Sequence, residues 1–255
     1  MSSMAKKNRI PTLYLFSAGT VLFSLAWLMP LFPLLAFVGL APFFAIAVNN
    51  RAEKSLWSSM ELILLGLSIC FWAIDQFSLD SLTNSIVSGI LFTLPFLGYT
   101  FVRENLGAKS SIIVIIFFWL AIEYITLKIY PIHFLADLFI LKSEWSKWTA
   151  QTGYLGIPLW ILSTNALLFK ALLTEQKTNW ILFVLFVAMI TGPFVLSHAS
   201  EASPITKQDM LAVYLDSETG EAGYKSYAEW IARTSAWISV LIVLFTLVKQ
   251  KTKRK

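Results

Sequence analysis

Long apolar runs make up most of this chain, and polar residues fall mainly in the short stretches between them. A helix needs about 20 mostly apolar residues to cross the hydrocarbon core of a bilayer. Leu and Ile follow one another in these runs without the alternation of a transmembrane strand, so the pattern predicts helices. We place eight runs, at 11–29, 31–48, 57–75, 84–102, 111–129, 153–172, 179–196 and 230–248.

Composition and charge agree with a membrane protein and suggest its orientation. The chain is 57% hydrophobic and only 14% charged, whereas soluble domains carry about 25% charged residues. Of the 20 Lys and Arg residues, 14 fall on the side that holds both termini, which predicts cytoplasmic termini. The basic tail 249–255 directly follows the last run, so we expect it to meet anionic lipid headgroups rather than nucleic acid.

Glu123 is the most informative polar residue inside a predicted helix. It lies seven residues before Tyr130, or about 10 Å below the end of the helix at 1.5 Å per residue. A carboxyl group at that depth is costly, so such residues usually face the bundle interior or a wet cavity. The position allows a functional role, a hydrogen bond between helices or an ion pair with Lys128.

The segment between the fifth and sixth runs, residues 130–148, has the pattern of neither a loop nor a spanning helix. Its middle, 134–141, is apolar but too short to cross a bilayer. We predict an interfacial or re-entrant piece on the outer face, with Trp145 and Trp148 at headgroup level. His133 and Asp137 stand four residues apart, so they would share a face if this piece were helical. Without a nucleophile beside them, an interfacial polar pair is favoured over a catalytic one.

The sixth run begins with small residues and carries one buried amide. Gly153 and Gly156 remove side chains where we expect a neighbouring helix or lipid to approach closely. Asn165 needs a partner on another helix, because a polar group in hydrocarbon is costly when unpaired. Cys70, the single cysteine, is expected to be a small buried residue. We expect no metal site and no cofactor.

Several of these residues occur in an order that resembles the membrane motifs of the apolipoprotein N-acyltransferase family. The stretch from Trp119 to Tyr124 resembles the family's W-x-x-x-E-W segment, and Tyr130-Pro131 resembles its F-P-W turn. Gln151 to Gly156 is similar to its T-G-x-x-G entry, and the exit falls at Asn165. The chain departs from the family at Thr126, where an arginine is usual, and at Ile132, which replaces the tryptophan of the turn.

The resemblance covers about residues 12–196 and implies a bacterial inner-membrane protein. With the runs, it leads us to expect an all-α, polytopic bundle of about eight transmembrane helices, forming one domain over 1–255. It also implies contact with lipid or a partner at a set of membrane positions. These are Trp119, Glu123, Tyr124, Pro131, Gly153, Gly156, Trp160 and Asn165.

The catalytic domain of that family has no counterpart here. The family inserts a nitrilase-like domain before its last span, in which a Glu-Lys-Cys triad takes an acyl chain from phospholipid onto the cysteine. This chain has only residues 197–229 there, which we expect to form a short extracytoplasmic loop, because so few residues rarely build a core of their own. Cys70 belongs to the third run, so no catalytic residue carries over from the family.

Three hypotheses follow, and we favour the first. It is a noncatalytic scaffold that binds phospholipid or lipoprotein acyl chains, or docks a separate acyltransferase or nitrilase-like protein. The second is a lipid- or lipoprotein-modifying acyltransferase at the outer interface, alone or as part of a split enzyme, with Glu123, His133 and Asp137 as candidate catalytic residues. The third is a transporter-like protein, which the few intramembrane charges and the lack of a clear internal repeat support poorly.

Overall fold

The structure of the protein is a computed structural model that describes residues 10–29, 33–49, 56–106, 111–129, 133–174, 178–204 and 230–253. All the secondary structure in these ranges is helical. The α-helices are α1 (Thr12–Leu28), α2 (Ala36–Gly39), α3 (Ala41–Asn49), α4 (Leu56–Ile74), α5 (Leu82–Leu106), α6 (Ser111–Ile129), α7 (Thr149–Thr152), α8 (Gly156–Leu168), α9 (Trp180–Ala199) and α10 (Trp230–Lys253). Short 3-10 turns form at Pro33–Leu35 and Leu79–Ser81, and a π-turn, Phe169–Leu173, extends α8.

The helices confirm a helical bundle of membrane type, although not the full number of crossings. Within the described ranges, 5 helices are long and apolar enough to cross a membrane: Trp57–Ile74, Leu79–Leu106, Gly156–Leu173, Trp180–Ala199 and Trp230–Thr252. The other three predicted runs contain shorter apolar stretches, at Thr12–Leu28, Pro33–Val48 and Ile112–Leu127. Eight crossings therefore stay a prediction. The loop expected at 197–229 is described only as far as Pro204.

The second predicted run is not one continuous helix. It breaks at Leu40, between α2 and α3, and Pro42 contributes to the break because it has no N–H for a helical hydrogen bond. The side chain of Asn165, in α8, fills the gap. Its Oδ1 accepts hydrogen bonds from the backbone N–H groups of Leu40 and Ala41, both at 2.8 Å, and its Nδ2 donates to the carbonyl of Ala36 at 2.7 Å. The interhelical partner predicted for Asn165 is thus confirmed.

The helices surround an interior rich in aromatic rings. α4 packs between α1 and α5, while α6 contacts α5, α8 and α10. The ring of Trp119 stacks on Phe92 at 4.5 Å, and that of Phe37 lies 4.4 Å from Trp160. Two helices lie at the edge of this core, because only 11% of the α9 span and 22% of the α10 span are buried. Their apolar sides therefore face outward, as expected for helices in contact with hydrocarbon.

The predicted interfacial piece forms a 3-10 helix, Leu135–Trp145, which we call the interfacial segment. Its backbone departs from helical geometry at Lys142, where φ is -131° and ψ is 42°. The first half is buried, and the tryptophans that follow turn inward rather than standing clear of the bundle. Trp145 packs against Phe194 at 4.9 Å and Trp148 against Trp160 at 5.7 Å, since both rings bury more apolar surface there.

Candidate functional site

Glu123 joins α6 to the interfacial segment. Its side chain is 0% exposed. The oxygen Oε1 accepts a hydrogen bond from Trp119 Nε1 at 3.0 Å, one turn earlier in α6, and another from the backbone N–H of Leu135 at 3.2 Å. The bond to Leu135 links Glu123 to a second helical element, and such a hydrogen bond is one of the roles that the sequence allows for Glu123. The side chain of Lys128, the other predicted partner, lies outside the described residues.

Asp137 fixes the same segment from within. Its Oδ2 accepts the backbone N–H of Phe134 at 2.9 Å, which is the carboxylate half of a capping box. Its Oδ1 accepts the hydroxyl of Tyr154, which lies in the turn before α8. Burial, followed by the nearby charge of Asp137, raises the pKa of Tyr154 well above its ordinary value. The hydroxyl therefore keeps its proton at neutral pH and donates a hydrogen bond to Asp137.

Two consecutive backbone donors thus meet two carboxyl groups at the start of the interfacial segment. The N–H groups of Phe134 and Leu135 lie at a helix N-terminus, where backbone donors have no partner within the helix. Negative charge is favourable at such an end. Leaving one buried donor unpaired costs about 1–3 kcal/mol. Glu123 and Asp137 therefore determine where the segment begins and how it is attached to the bundle.

His133 is held more loosely, between two carboxylates. Its side chain is 44% exposed, with Nδ1 3.9 Å from Asp137 Oδ2 and Nε2 3.6 Å from Asp75 Oδ1. The ring also meets the edge of Trp27, at 6.4 Å. Exposed ion pairs are worth about 0–1 kcal/mol. The structure brings His133 and Asp137 together, although not on one helix face, because His133 precedes the first residue of the helix, Leu135. It also adds Asp75 from the end of α4.

We refer to Asp75, Glu123, His133, Asp137 and Tyr154 as the polar cluster. Asp75 and Tyr154 were not among the predicted site residues. Both are polar residues next to the ends of apolar runs, and that signal groups them on one side of the membrane. It does not show that Asp75 lies beside His133 or that Tyr154 meets Asp137, because these contacts depend on how distant helices pack.

The polar cluster offers acids and an imidazole, but its described neighbours supply no activated nucleophile. In the described part of the chain, the ion pairs of His133 lead to carboxylates, and no hydroxyl or thiol donates to its ring. Cys70 is buried in α4, where its Sγ lies 3.5 Å from the carbonyl oxygen of Thr20 on α1. Covalent acyl transfer needs a nucleophile next to a base. Across the described ranges, no group of 3 or more His, Cys, Asp or Glu residues is placed to hold a metal ion.

The remaining predicted positions are packed in the bundle. Trp119 and Trp160 are buried, and Trp160 Nε1 donates to the carbonyl of Met189 on α9 at 2.6 Å. Tyr124 is partly buried and packs against the core. Pro131 lies outside the described residues. Contact with lipid or a partner stays a prediction for these positions.

Gly153 and Gly156, on either side of the turn into α8, have close local contacts, and the neighbouring helix α7 approaches Gly156 as expected, whereas contact of these glycines with lipid stays a prediction. Gly153 has a φ of 79°, in the left-handed region that favours glycine, and it forms the turn after α7. A Cβ on Gly156 would lie only 2.3 Å from Thr152 Oγ1 and 3.0 Å from the ring of Trp148. Both residues belong to the stretch just before α8. The glycines therefore let the chain turn tightly between α7 and α8.

The candidate site consists of the polar cluster and the aromatic interior, and it is assigned from the geometry of these residues. No family model matches the chain, and no curated protein or solved structure matches it either.

Proposed function

We propose that this protein is a noncatalytic, multi-pass inner-membrane scaffold, similar to the membrane part of apolipoprotein N-acyltransferase, which binds the acyl chains of phospholipid or lipoprotein. Both termini face the cytoplasm, and the polar cluster lies at the outer face. One observation carries the proposal: the carboxyl groups of Glu123 and Asp137 hold the backbone N–H groups of Leu135 and Phe134. They act as anchors of the interfacial segment.

The geometry of Glu123 favours an anchor over an acid or base. A general acid or base must come within hydrogen-bond reach of the reacting group. Glu123 is 0% exposed, and its Oε1 already accepts from Trp119 and Leu135. Turning the carboxyl toward a substrate would leave two buried donors without this acceptor, at a cost of about 1–3 kcal/mol each. A buried and fully engaged carboxyl group suits a fixed attachment point, whereas it does not suit a group that must transfer protons.

The surface of the bundle supports contact with hydrocarbon. α9 and the central part of α10 are apolar and mostly unburied, so their sides are suited to acyl chains. The short stretch 197–229 stands where the resembling family has its catalytic domain. Any acyl transfer associated with the scaffold would then belong to a separate acyltransferase or nitrilase-like protein docked at the outer face.

A second candidate, a lipid-modifying enzyme at the outer interface, is favoured by one observation. His133 is 44% exposed and lies between Asp75 and Asp137, an arrangement suited to proton transfer. Substituting His133→Ala in a lipid-transfer assay separates the two candidates. His198→Ala is the matched control, because His198 is the chain's other histidine and is exposed at the end of α9. Activity lost only in His133→Ala would favour the enzyme.

Mass spectrometry of the full-length protein, purified in mild detergent, tests the proposal. We expect a diacyl phospholipid or a lipoprotein to copurify without a covalent bond. A copurifying nitrilase-like or acyltransferase polypeptide would support the docking form of the scaffold. A purified protein with neither lipid nor partner, or one that carries a covalent acyl group, would overturn it.

A further inference from the structure

His133 lies between two parts of the structure that are far apart in the sequence. Its Nε2 is 3.6 Å from Oδ1 of Asp75, just after α4, and its Nδ1 is 3.9 Å from Oδ2 of Asp137, in the interfacial segment. Both distances exceed those of an N–H···O hydrogen bond, which are about 2.7–3.2 Å. The ring therefore stands between two carboxylates, close to both and hydrogen-bonded to neither.

The two ring nitrogens can bind both carboxylates only when the ring is charged. A neutral imidazole has one N–H donor and one acceptor nitrogen, whereas the imidazolium has two donors, and an ionised carboxylate is an acceptor only. In neutral His133, one nitrogen therefore faces a carboxylate with no proton between them. Protonation supplies the missing donor and places a positive charge between Asp75 and Asp137, so that two charge-assisted hydrogen bonds can form.

The surroundings of the ring suit such a change. The side chain of Asp137 is only 8% exposed and is held by the backbone N–H of Phe134 and the hydroxyl of Tyr154. The side chains of His133 and Asp75 are 44% and 37% exposed, so both are open to protons from the solvent. One carboxylate is thus fixed and the other is free to adjust. Closing each contact to hydrogen-bond length requires a movement of about 1 Å.

The other groups around His133 do not compete for its charge. Tyr154, from the turn before α8, donates to the carboxylate in the interfacial segment rather than to the ring. Asp80, at the start of α5, lines a polar hollow together with Asp75 and adds negative charge on that side. α1 contributes the indole of Trp27, which does not titrate. Within the described residues, the ion pairs of His133 are therefore with carboxylates only.

We propose that His133 forms a pH-sensitive bridge between α4 and the interfacial segment, closed when the ring is protonated and open when it is neutral. Histidine is the side chain whose charge ordinarily changes between about pH 5 and 8. Because the charged ring is stabilised by both Asp75 and Asp137, proton binding and closure of the bridge favour each other. The segment is therefore held more firmly at low pH, and this part of its stability is lost as the pH rises. The inference rests on the anchored segment of the proposed function and adds a control by pH at the outer face.

Hydrogen exchange of the full-length protein tests the bridge, in vesicles of phosphatidylethanolamine and phosphatidylglycerol at about pH 5.5 and about pH 8. Exchange at residues 134–145 is compared with that of an unstructured peptide of the same sequence at the same pH, because the exchange reaction itself depends on pH. We expect protection to be about threefold higher at the lower pH. That ratio corresponds to about 0.7 kcal/mol, within the range of exposed ion pairs. Residues 90–100 of α5 are the internal reference, where we expect no such change.

Two variants and their matched controls connect the effect to the bridge. His133→Gln keeps a polar side chain without a charge, so it is expected to remove the pH dependence. Asp75→Asn keeps the shape of the partner on α4 and is expected to remove most of it. His198→Gln and Asp80→Asn are the controls, because both residues are exposed and neither forms an ion pair with the bridge, and both variants are expected to retain the full dependence.

The other outcomes contradict the bridge. Equal protection at both pH values in the wild type, or a pH dependence that persists in His133→Gln, would overturn it. An equal loss in Asp75→Asn and Asp80→Asn would assign the effect to the general charge of the outer face and would also overturn it. Unchanged protection of residues 90–100 shows that each variant is folded. None of these results affects the proposed scaffold, which is tested separately by the lipid that copurifies.

Discussion

Removing the carboxyl group of Glu123 is expected to destabilise the junction between α6 and the interfacial segment. Glu123→Ala takes the acceptor away from Trp119 Nε1 and from the backbone N–H of Leu135. Each buried donor left unpaired costs about 1–3 kcal/mol, so the expected loss in free energy of unfolding is about 2–6 kcal/mol. Glu123→Gln keeps a side-chain oxygen as acceptor, so we expect its loss to stay below about 1 kcal/mol.

Thermal unfolding of the full-length protein in detergent measures the overall effect, and hydrogen exchange at the Leu135 amide measures it locally. Glu61→Ala is the control, because Glu61 is an exposed glutamate in α4. The Leu135 amide is expected to exchange faster in Glu123→Ala and at the original rate in Glu123→Gln and Glu61→Ala. Equal stability of Glu123→Ala and Glu61→Ala would refute the anchoring role. So would an equal loss in the Gln and Ala variants, because then the charge rather than the acceptor would matter.

Three further outcomes are expected. Asn165→Leu leaves two backbone N–H groups at the start of α3 without their acceptor, so thermal unfolding should show a loss of about 2–6 kcal/mol, and an unchanged midpoint would contradict the proposed role. Tyr154→Phe removes the donor to Asp137 and should cost about 1 kcal/mol, against less than about 0.5 kcal/mol for the exposed Tyr14→Phe. Because the pKa of Tyr154 is raised in the folded protein, its stabilising contribution is complete below the unfolded tyrosine pKa of about 10 and declines above it, and an equally steep decline in Tyr154→Phe would argue against this. His133→Ala should lower stability by less than about 1 kcal/mol, and a larger loss would show that its ion pairs are stronger than their exposure suggests.

The sequence predicts the helices well because a long apolar run in a membrane must satisfy its own backbone hydrogen bonds. The apolar run alone does not predict the break at Leu40, which Pro42 favours locally. The acceptor that satisfies the freed backbone N–H groups is the side chain of Asn165, which lies 125 residues further along the chain. The apolar surroundings of Asn165 in the sequence do predict that its amide needs a partner. Which backbone groups it meets is decided by the packing of α8 against α2 and α3.

The candidate site, like the fold, can be predicted from the sequence only in part. Glu123 and Asp137 are recognisable in the sequence because carboxyl groups are rare among apolar neighbours. Their partners are not, since the N–H of Leu135 and the hydroxyl of Tyr154 become neighbours only after the interfacial segment folds back on α6 and α8. Spacing predicts that His133 lies near Asp137. The addition of Asp75 requires the end of α4 to lie beside the segment.

The most direct test of the central claim follows the acyl chain itself. The full-length protein is reconstituted in vesicles with a phospholipid that carries a labelled acyl chain and with a lipoprotein acceptor. We expect the label to remain in phospholipid bound without a covalent bond, equally in the wild type, Glu123→Gln and His133→Ala. Label transferred to the protein or to the acceptor, and lost in His133→Ala but not in His198→Ala, would contradict the account and establish an enzyme.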